Sequence, residues 1–352
     1  MIQKDFSIPF NGDFQLLKKT LASGRIYEVY FSIFDKHGIN VNSYGGSEKS
    51  PVSGPKAVQL LSSMAKLYKT GLNVLCNAPS LYFSDFRELF TVLHEIPGLT
   101  AITISDPIAI RAFVKEFPEL DIQASFIMNL NTLEKIKQFA QLGGGTVIVP
   151  GAITRNLPLL EKIRELKKKY EKLRIKMIAN LDCAQECIFL PSHYMVGMLS
   201  SFPQAEEKAY TNAACYRRFT PEDFIKVPFI RPEDLSFYRD NGLTDTFKII
   251  YRSSPSAMLE TVYKAYFEEK YEGNMFDIIP THCDPYECAR DPFLPDDKKG
   301  NVPEYFCDSR AFPPDFVKKT STCDKNCDEC GYCAAIAEKA NAVTGGIKAG
   351  NR

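Results

Sequence analysis

The sequence has no net charge, no long apolar run and no apolar leader at its start. Lys and Arg total 43, as do Asp and Glu. This balance argues against a protein that binds long nucleic acid mainly through its phosphates, but it does not exclude a local basic patch. No apolar run approaches the roughly 20 residues that span a bilayer, and the first residues, MIQKDF, lack the apolar core of a signal peptide. These absences predict a cytoplasmic protein without a membrane partner, and they leave nucleic acid open as a partner.

Motifs of two hydrolase classes and of dinucleotide binding are absent as well. The sequence contains neither H-E-x-x-H, which binds catalytic zinc, nor G-x-S-x-G, which presents a serine nucleophile. Residues 143–145 are three glycines, but they lack the G-x-G-x-x-G order and follow an amphipathic segment. They therefore predict the end of a helix rather than a phosphate loop. Peptide hydrolysis has no motif to support it and is kept as an alternative function.

Cysteine, by contrast, is abundant and unevenly placed. The chain has 11 cysteines, and all but Cys76 lie after residue 180. In a reducing compartment such thiols are not expected to pair as disulfides. We therefore expect the second half of the chain to carry metal or redox chemistry.

The order of predicted elements indicates an α/β barrel. Between residues 25 and 270, short β-rich segments alternate with amphipathic helices. We predict eight strands, at residues 25–32, 73–76, 101–104, 122–126, 146–149, 175–179, 226–230 and 246–251. Such units form either an open doubly wound sheet or a closed barrel, and eight of them in about 250 residues favour a (β/α)8 TIM-like barrel. The prediction is a barrel domain at residues 1–273 and a cysteine-rich C-terminal extension at residues 274–352.

The extension carries the sharpest motif, which is CDKNCDECGYC. Four thiols fall within one short segment: Cys323, Cys327, Cys330 and Cys333. A compact set of this kind is typical of [4Fe–4S] ligands, whereas zinc usually binds two C-x2-C pairs separated by a longer arm. We predict an iron–sulfur site, with zinc as the alternative. Because the extension shows little apolar periodicity, we expect it to fold around its metal.

A second group of thiols follows the predicted strand at residues 175–179. Loops after barrel strands lie at the carboxyl ends of the strands, where barrel enzymes place their chemistry. The predicted ligands of a cluster there are Cys183, Cys187, Cys215 and Cys283. Cys288 is a rival for the fourth ligand. The alternative is that such thiols are small buried hydrophobes, and this interpretation is favoured for Cys76 and Cys307.

Cations cluster on and after the last predicted strand. Arg231, Lys248 and Arg252 could hold an anionic substrate or cosubstrate such as a dicarboxylate, because loops near the end of a barrel often bind phosphate or carboxylate. The alternative for Lys248 is an inward-pointing side chain paired with Glu233 or Asp234. The sequence thus predicts either an anion site or a buried ion pair.

Three residues are predicted to be catalytic: Lys248, Arg252 and His193. His193 follows the Cys183–Cys187 pair closely, and imidazole can serve as a ligand or as an acid–base group near neutral pH. An ordinary polar contact is an equal alternative for this histidine.

Three segments resemble the collagenase-like peptidase U32 family. They are NLDCAQECIFLPSH at residues 180–193, KVPFIRPEDL at residues 226–235 and TFKIIYR at residues 246–252. The resemblance implies a barrel, a cysteine-bound [4Fe–4S] cluster in several members, and oxygen-independent hydroxylation of tRNA, ribosomal RNA or a ubiquinone precursor, with prephenate implicated as oxygen source. Two positions depart from the family: Asn180 stands where its first cluster cysteine lies, and Ile250 replaces an acidic residue.

These observations predict an iron–sulfur dependent oxidoreductase, such as an oxygen-independent hydroxylase, that modifies a small molecule or RNA. It would carry one or two [4Fe–4S] clusters and work with an electron donor as a homo- or heterodimer. The alternatives are a peptidase or other hydrolase, and a non-catalytic electron-transfer subunit of a heterodimer.

Overall fold

Short parallel strands form the centre of the molecule. In the computed structural model, which describes residues 3–33, 52, 54–77, 86–183, 187–188, 190–191, 221–252, 254–279 and 306–342, eight strands close into a barrel. They are β1 (Phe6–Pro9), β2 (Ile26–Phe31), β3 (Gly71–Cys76), β4 (Leu99–Ile104), β5 (Asp121–Ala124), β6 (Thr146–Ile148), β7 (Arg174–Ile178) and β8 (Thr246–Lys248). Every strand is parallel to its neighbours, and β1 pairs with β8 to complete the ring. The predicted (β/α)8 barrel is confirmed.

Helices follow the strands along the chain. They are α1 (Phe14–Leu21), α2 (Pro55–Leu67), α3 (Phe86–His94), α4 (Ile110–Glu116), α5 (Leu133–Gln141), α6 (Gly151–Thr154), α7 (Leu157–Lys167), α8 (Pro221–Lys226), α9 (Leu235–Asp240), α10 (Ser256–Glu268), α11 (Phe316–Ser321), α12 (Cys327–Cys330) and α13 (Tyr332–Ala342). Short 3-10 turns lie at Pro107–Ala109, Phe126–Met128, Pro232–Asp234, Met275–Asp277 and Ser309–Ala311. No helix in the described part of the chain is long and apolar enough to cross a membrane.

The predicted number of strands is correct, but two assignments are wrong. The first strand is β1, whose four residues give too short a pattern to be recognised in the sequence. Residues 226–230 are not a strand of the barrel; α8 ends at Lys226, and Ile230 donates its N–H to the carbonyl of Ala179 at 2.8 Å. Pro228 has no N–H to donate within this segment, which disfavours a central strand.

The three glycines after α5 end that helix, as predicted. Gly143 has a φ of 92°, in the left-handed region that favours glycine. Its N–H donates to the carbonyl of Ala140 at 3.0 Å, and the N–H of Gly144 donates to Phe139 at 3.1 Å. This pair of bonds is a Schellman cap.

The barrel interior holds a buried polar network around Glu28 of β2. Its carboxylate accepts hydrogen bonds from Ser7 at 2.7 Å, from Asn73 at 3.0 Å and from Gln123 at 3.0 Å, and it forms an ion pair with Lys176 of β7. Lys176 also donates to Gln123 at 2.7 Å. Because β2, β5 and β7 are not neighbours in the sheet, these bonds cross the interior. Branched apolar side chains usually fill this space in such barrels.

The charged state of Glu28 depends on these partners. Burial raises its pKa, but the ammonium of Lys176 and the hydrogen bonds from Lys176, Ser7 and Asn73 outweigh burial and lower the pKa to about 2. The carboxylate is therefore ionised at neutral pH inside the barrel. Removing one charge of such a pair leaves the other unpaired and buried.

The C-terminal extension packs on the barrel through apolar side chains. Its buried apolar residues belong to the same hydrophobic core as the barrel; they include Phe312, Phe316, Val317, Ile336, Ala337 and Ala340. The ring of Phe229, just after α8, lies 6.0 Å from that of Phe312 and 6.2 Å from that of Phe316. The extension therefore has apolar contacts with the barrel, made by residues too far apart in the sequence to show as periodicity, and its dependence on a metal stays a prediction.

We predict that Lys176→Met lowers the free energy of unfolding by about 3–5 kcal/mol, because it leaves the Glu28 carboxylate buried and unpaired. The double variant Glu28→Gln with Lys176→Met is the control, and it should lose less stability because no buried charge remains. Urea denaturation at pH 7 measures both. If the double variant is less stable than Lys176→Met, the loss of stability does not come from an unpaired buried carboxylate.

Candidate functional site

The predicted cations and thiols meet at the carboxyl ends of adjacent strands. Lys248 is the last residue of β8, and its partner in the register of β7 is Ile178. Cys183 follows β7, and Arg252 follows β8. Because the strand predicted at residues 226–230 does not form, β7 and β8 are direct neighbours. The region of Tyr30, Cys183, Lys248 and Arg252 is called the barrel mouth below.

Lys248 is a buried amine with a low pKa. Its side chain is 8% exposed, and Nζ lies 3.9 Å from the centre of the Tyr30 ring. Burial and the repulsion from Lys176 lower the pKa of Lys248 to about 7; Glu28 opposes this and Arg252 adds to it. At neutral pH the amine can therefore both accept and donate a proton.

The predicted alternative, an ion pair between Lys248 and Glu233 or Asp234, is wrong. Asp234 accepts two hydrogen bonds from Arg231, at 2.6 Å and 2.8 Å. The carboxylate of Glu233 accepts the N–H of Tyr271 at 2.6 Å. Both acidic side chains are thus engaged away from Lys248.

Arg231 does not join the anion site that the sequence predicted. Besides its two bonds to Asp234, its guanidinium lies 5.4 Å from the centre of the Phe312 ring and 5.0 Å from that of Phe316. Arg231 is therefore a structural residue that holds the C-terminal extension against the barrel.

Arg252 lies across the mouth from β8 to β2. Its Nη1 donates to Oγ of Ser32, the residue after β2, at 2.9 Å. Burial lowers its pKa, and Tyr30 partly opposes this. The described residues offer Arg252 no ion pair within 4.0 Å. Part of its bidentate donor edge therefore stays open for a ligand.

Among the described residues, two cations and one carboxylate act electrostatically on Lys248; they are Lys176, Arg252 and Glu28. Buried cations are costly without a counter-charge. An anionic ligand at the mouth would supply it.

The backbone between the two cations is strained. Tyr251 has a φ of 78°, and a bulky residue rarely adopts this region. Such strain persists only where the surroundings impose it, and it is concentrated at ligand-binding and active sites. This geometry turns the chain at the exit of β8, between Lys248 and Arg252.

Cys183 lies against the apolar wall of the mouth. It is half-buried and packs on the cluster of Ile148, Ile178 and Leu181. Cys187 is also half-buried, and its carbonyl accepts the N–H of Leu190 at 3.2 Å. The other predicted participants at the mouth, Cys215, Cys283 and its rival Cys288, and His193, lie outside the described residues.

The side-chain amide of Asn180, a residue with no role predicted from the sequence, could donate a hydrogen bond to a ligand at this site. The residue is fully buried, and its Oδ1 accepts the N–H of Ile250 at 2.8 Å. Its Nδ2 is buried and has no hydrogen-bond partner among the described atoms. A sulfur or oxygen acceptor at the mouth would satisfy this donor.

Cys76 and Cys307 behave as buried hydrophobes, as predicted. Both are buried, and burial raises the pKa of each thiol, in Cys307 to about 12. Such thiols stay protonated and unreactive.

The four thiols of the extension line one cavity of about 170 Å³, which also exposes Arg155. They are Cys323, Cys327, Cys330 and Cys333. Gly331, with a φ of 62°, ends α12 and turns the chain between the last two. The described residues do not gather three His, Cys, Asp or Glu side chains around a single point as one metal ion requires. The thiols surround a space instead.

A curated archaeal protein is similar to this chain over nearly its whole length. No family model matches the chain. An uncharacterized protease of Methanocaldococcus jannaschii is 24% identical over 356 residues, which cover 95% of this chain and 98% of the relative.

Solved structures show more distant likeness. A U32 peptidase has a TM-score of 0.48 and 14% identity, covering 72% of this chain and 94% of its own. A conserved Enterococcus faecalis protein of unknown function has a TM-score of 0.39 and 11% identity, covering 75% of this chain and 65% of its own. The motifs at residues 180–193, 226–235 and 246–252 thus resemble the peptidase U32 family, and the archaeal protease is similar to this chain over nearly its whole length.

Proposed function

We propose that the chain is an iron–sulfur barrel enzyme that carries out a redox modification, such as hydroxylation without dioxygen, using an anionic substrate or cosubstrate bound at the barrel mouth. One observation carries the proposal. Lys248 and Arg252 are cations held in a largely buried site, without ion pairs in the described residues, beside the strand that leads to Cys183.

The cations favour a carboxylate or phosphate ligand. Arg252 can present two parallel N–H groups to such an anion, and Ser32 already fixes one of its nitrogens. Lys248 adds a donor whose charge depends on pH near neutrality. Tyr30 closes the site below Lys248, because its hydroxyl donates to the carbonyl of Ile249 at 2.8 Å and holds the ring in place. The site thus binds and orients an anion away from bulk water.

The thiols at the mouth favour a redox cofactor over a simple binding site. Cys183 and Cys187 would be ligands of an iron–sulfur cluster, and the buried Nδ2 of Asn180 would donate to it. When bound, a cluster supplies or takes up electrons. Hydroxylation removes two electrons from the substrate, so the oxygen source must accept them. Lys248 and Arg252 favour an oxygen source that carries a carboxylate group, because they can bind it as an anion. Lys248 would transfer a proton through Nζ.

Peptide hydrolysis is the second candidate, favoured by the name of the archaeal relative. Histidine-assisted hydrolysis would need a histidine near a nucleophile. Of the four histidines, His94 is the one in the described part of the chain; it lies on α3, with Nε2 2.8 Å from Glu116 and a side chain that is 52% exposed. A peptidase would cleave fluorogenic peptides in iron-free, aerobically purified protein. The redox enzyme would need iron.

We predict that anion binding weakens as pH rises through about 7, because Lys248 loses its proton there. Isothermal titration with prephenate and with inorganic phosphate should show Kd rising by at most about tenfold per pH unit above pH 7, the limit for one linked proton. Lys248→Arg keeps its charge at all these pH values and should remove the dependence. If Lys248→Arg retains the full pH dependence, another group is responsible.

We predict that Arg252→Lys weakens the binding of prephenate by about 1.5–3 kcal/mol, the range for charge-assisted hydrogen bonds, because an ammonium cannot reproduce the bidentate geometry. Iron content should be unchanged. Cys187→Ser is the complementary variant, expected to lose the iron of the barrel mouth and all turnover but to bind prephenate normally. Iron loss in Arg252→Lys, with unchanged prephenate binding, would make Arg252 structural.

A further inference from the structure

Arg155 occupies an unusual position on the outside of the barrel, behind the thiols of the C-terminal extension. It follows α6 directly, and α6 itself follows β6. The side chain is 5% exposed. Its guanidinium lies between two aromatic rings, 5.4 Å from the centre of Phe229 and 5.2 Å from that of Phe316. The barrel and the extension therefore enclose a cation together.

One nitrogen of this guanidinium is satisfied and another is not. Nη1 donates to the carbonyls of Ile225 at 2.9 Å and Lys226 at 3.1 Å. Nη2 is buried and has no hydrogen-bond partner among the described atoms. A buried charged donor without an acceptor is costly, and few are found in folded proteins.

The unsatisfied donor belongs to the cavity that the four thiols line. Arg155 is a lining residue of that cavity and interacts electrostatically with Cys323 and Cys333. The neighbouring Lys226 is already paired with Glu222 at 2.7 Å. The cavity thus presents four sulfur ligands and one buried cation that lacks an acceptor.

We infer that Cys323, Cys327, Cys330 and Cys333 hold an iron–sulfur cluster in this cavity, and that Arg155 is a positioning residue that donates Nη2–H to it. Four thiolates around a cubane give it a net negative charge, which supplies both the acceptor and the counter-charge that Arg155 lacks. A single zinc ion bound by four thiolates is the alternative. All four thiols line the same cavity as Arg155.

A buried cation and an N–H donor at a cluster favour its reduced form, because reduction adds one electron and makes the cluster more negative. Arg155 should therefore raise the reduction potential of the extension's cluster. The inference rests on the proposed iron–sulfur chemistry of the chain, but it is independent of the barrel mouth.

The test uses full-length protein carrying Cys183→Ser and Cys187→Ser, so that the cluster of the extension is observed alone. Anaerobic preparation should give about four iron and four sulfide per chain, and adding Cys327→Ser and Cys330→Ser should remove them. Zinc in place of iron, or iron that survives these changes, would overturn the assignment. Either result leaves the proposed chemistry of the mouth standing, because iron at the mouth is measured separately in Cys327→Ser with Cys330→Ser.

The role of Arg155 is tested by an EPR-monitored redox titration with dithionite as electron donor. Arg155→Met should lower the equilibrium constant for one-electron reduction about tenfold, which corresponds to about 59 mV. Arg155→Lys keeps the charge and should give a smaller shift, and it replaces Arg155→Met if that variant does not fold. Lys319→Met is the matched control, because Lys319 is an exposed cation that lines the same cavity; solvent screening should leave the potential nearly unchanged. Equal potentials in wild type, Arg155→Lys and Arg155→Met would overturn the role.

Discussion

The ion pair between Glu28 and Lys176 sets the electrostatics of the whole barrel. It crosses the interior from β2 to β7 and uses the carboxylate available among the described residues there. Lys248 lies two residues further along β8 than Thr246, the residue opposite Lys176. Burial, together with the repulsion from Lys176 and Arg252, lowers the pKa of Lys248 to about 7, and Glu28 opposes this. The anion site that we propose at the barrel mouth would therefore depend on how the charges of the interior are paired.

Two buried arginines outside the barrel also differ in the partners available to them. Arg231 and Arg155 both lie against the ring of Phe316, but their situations differ. Arg231 is fully engaged by Asp234 and joins the extension to the barrel. Arg155 has a buried donor without a partner among the described atoms, and it lines the cavity of the four thiols. Arg155 follows β6, and Cys183 follows β7, so the two groups of thiols are connected to the carboxyl ends of adjacent strands.

The sequence predicted the barrel because alternating strands and helices are visible in local patterns. It misplaced one strand, since FSIP is too short to recognise and residues 226–230 have strand-like composition without strand pairing. Lys248 and Arg252 were selected by their place on the last strand, and their role at the site stays a prediction. Their environments could not be predicted, because Glu28 lies far away in the chain. Arg231 was misassigned for the same reason, as its stacking on Phe312 and Phe316 depends on tertiary packing. Asn180 was noted only as a departure from the family's first cluster cysteine, and Arg155 gave no signal in the sequence.

The central claim is that a cluster and an anion-binding site share the barrel mouth, and EPR spectroscopy of anaerobically prepared, dithionite-reduced protein tests it most directly. The double variant Cys327→Ser with Cys330→Ser would remove any signal from the extension, so that the cluster at the mouth is observed alone. The account predicts that prephenate or another bound carboxylate shifts the spectrum of the remaining cluster. It is contradicted if this protein binds no iron, or if a carboxylate binds with full affinity and leaves the spectrum unchanged.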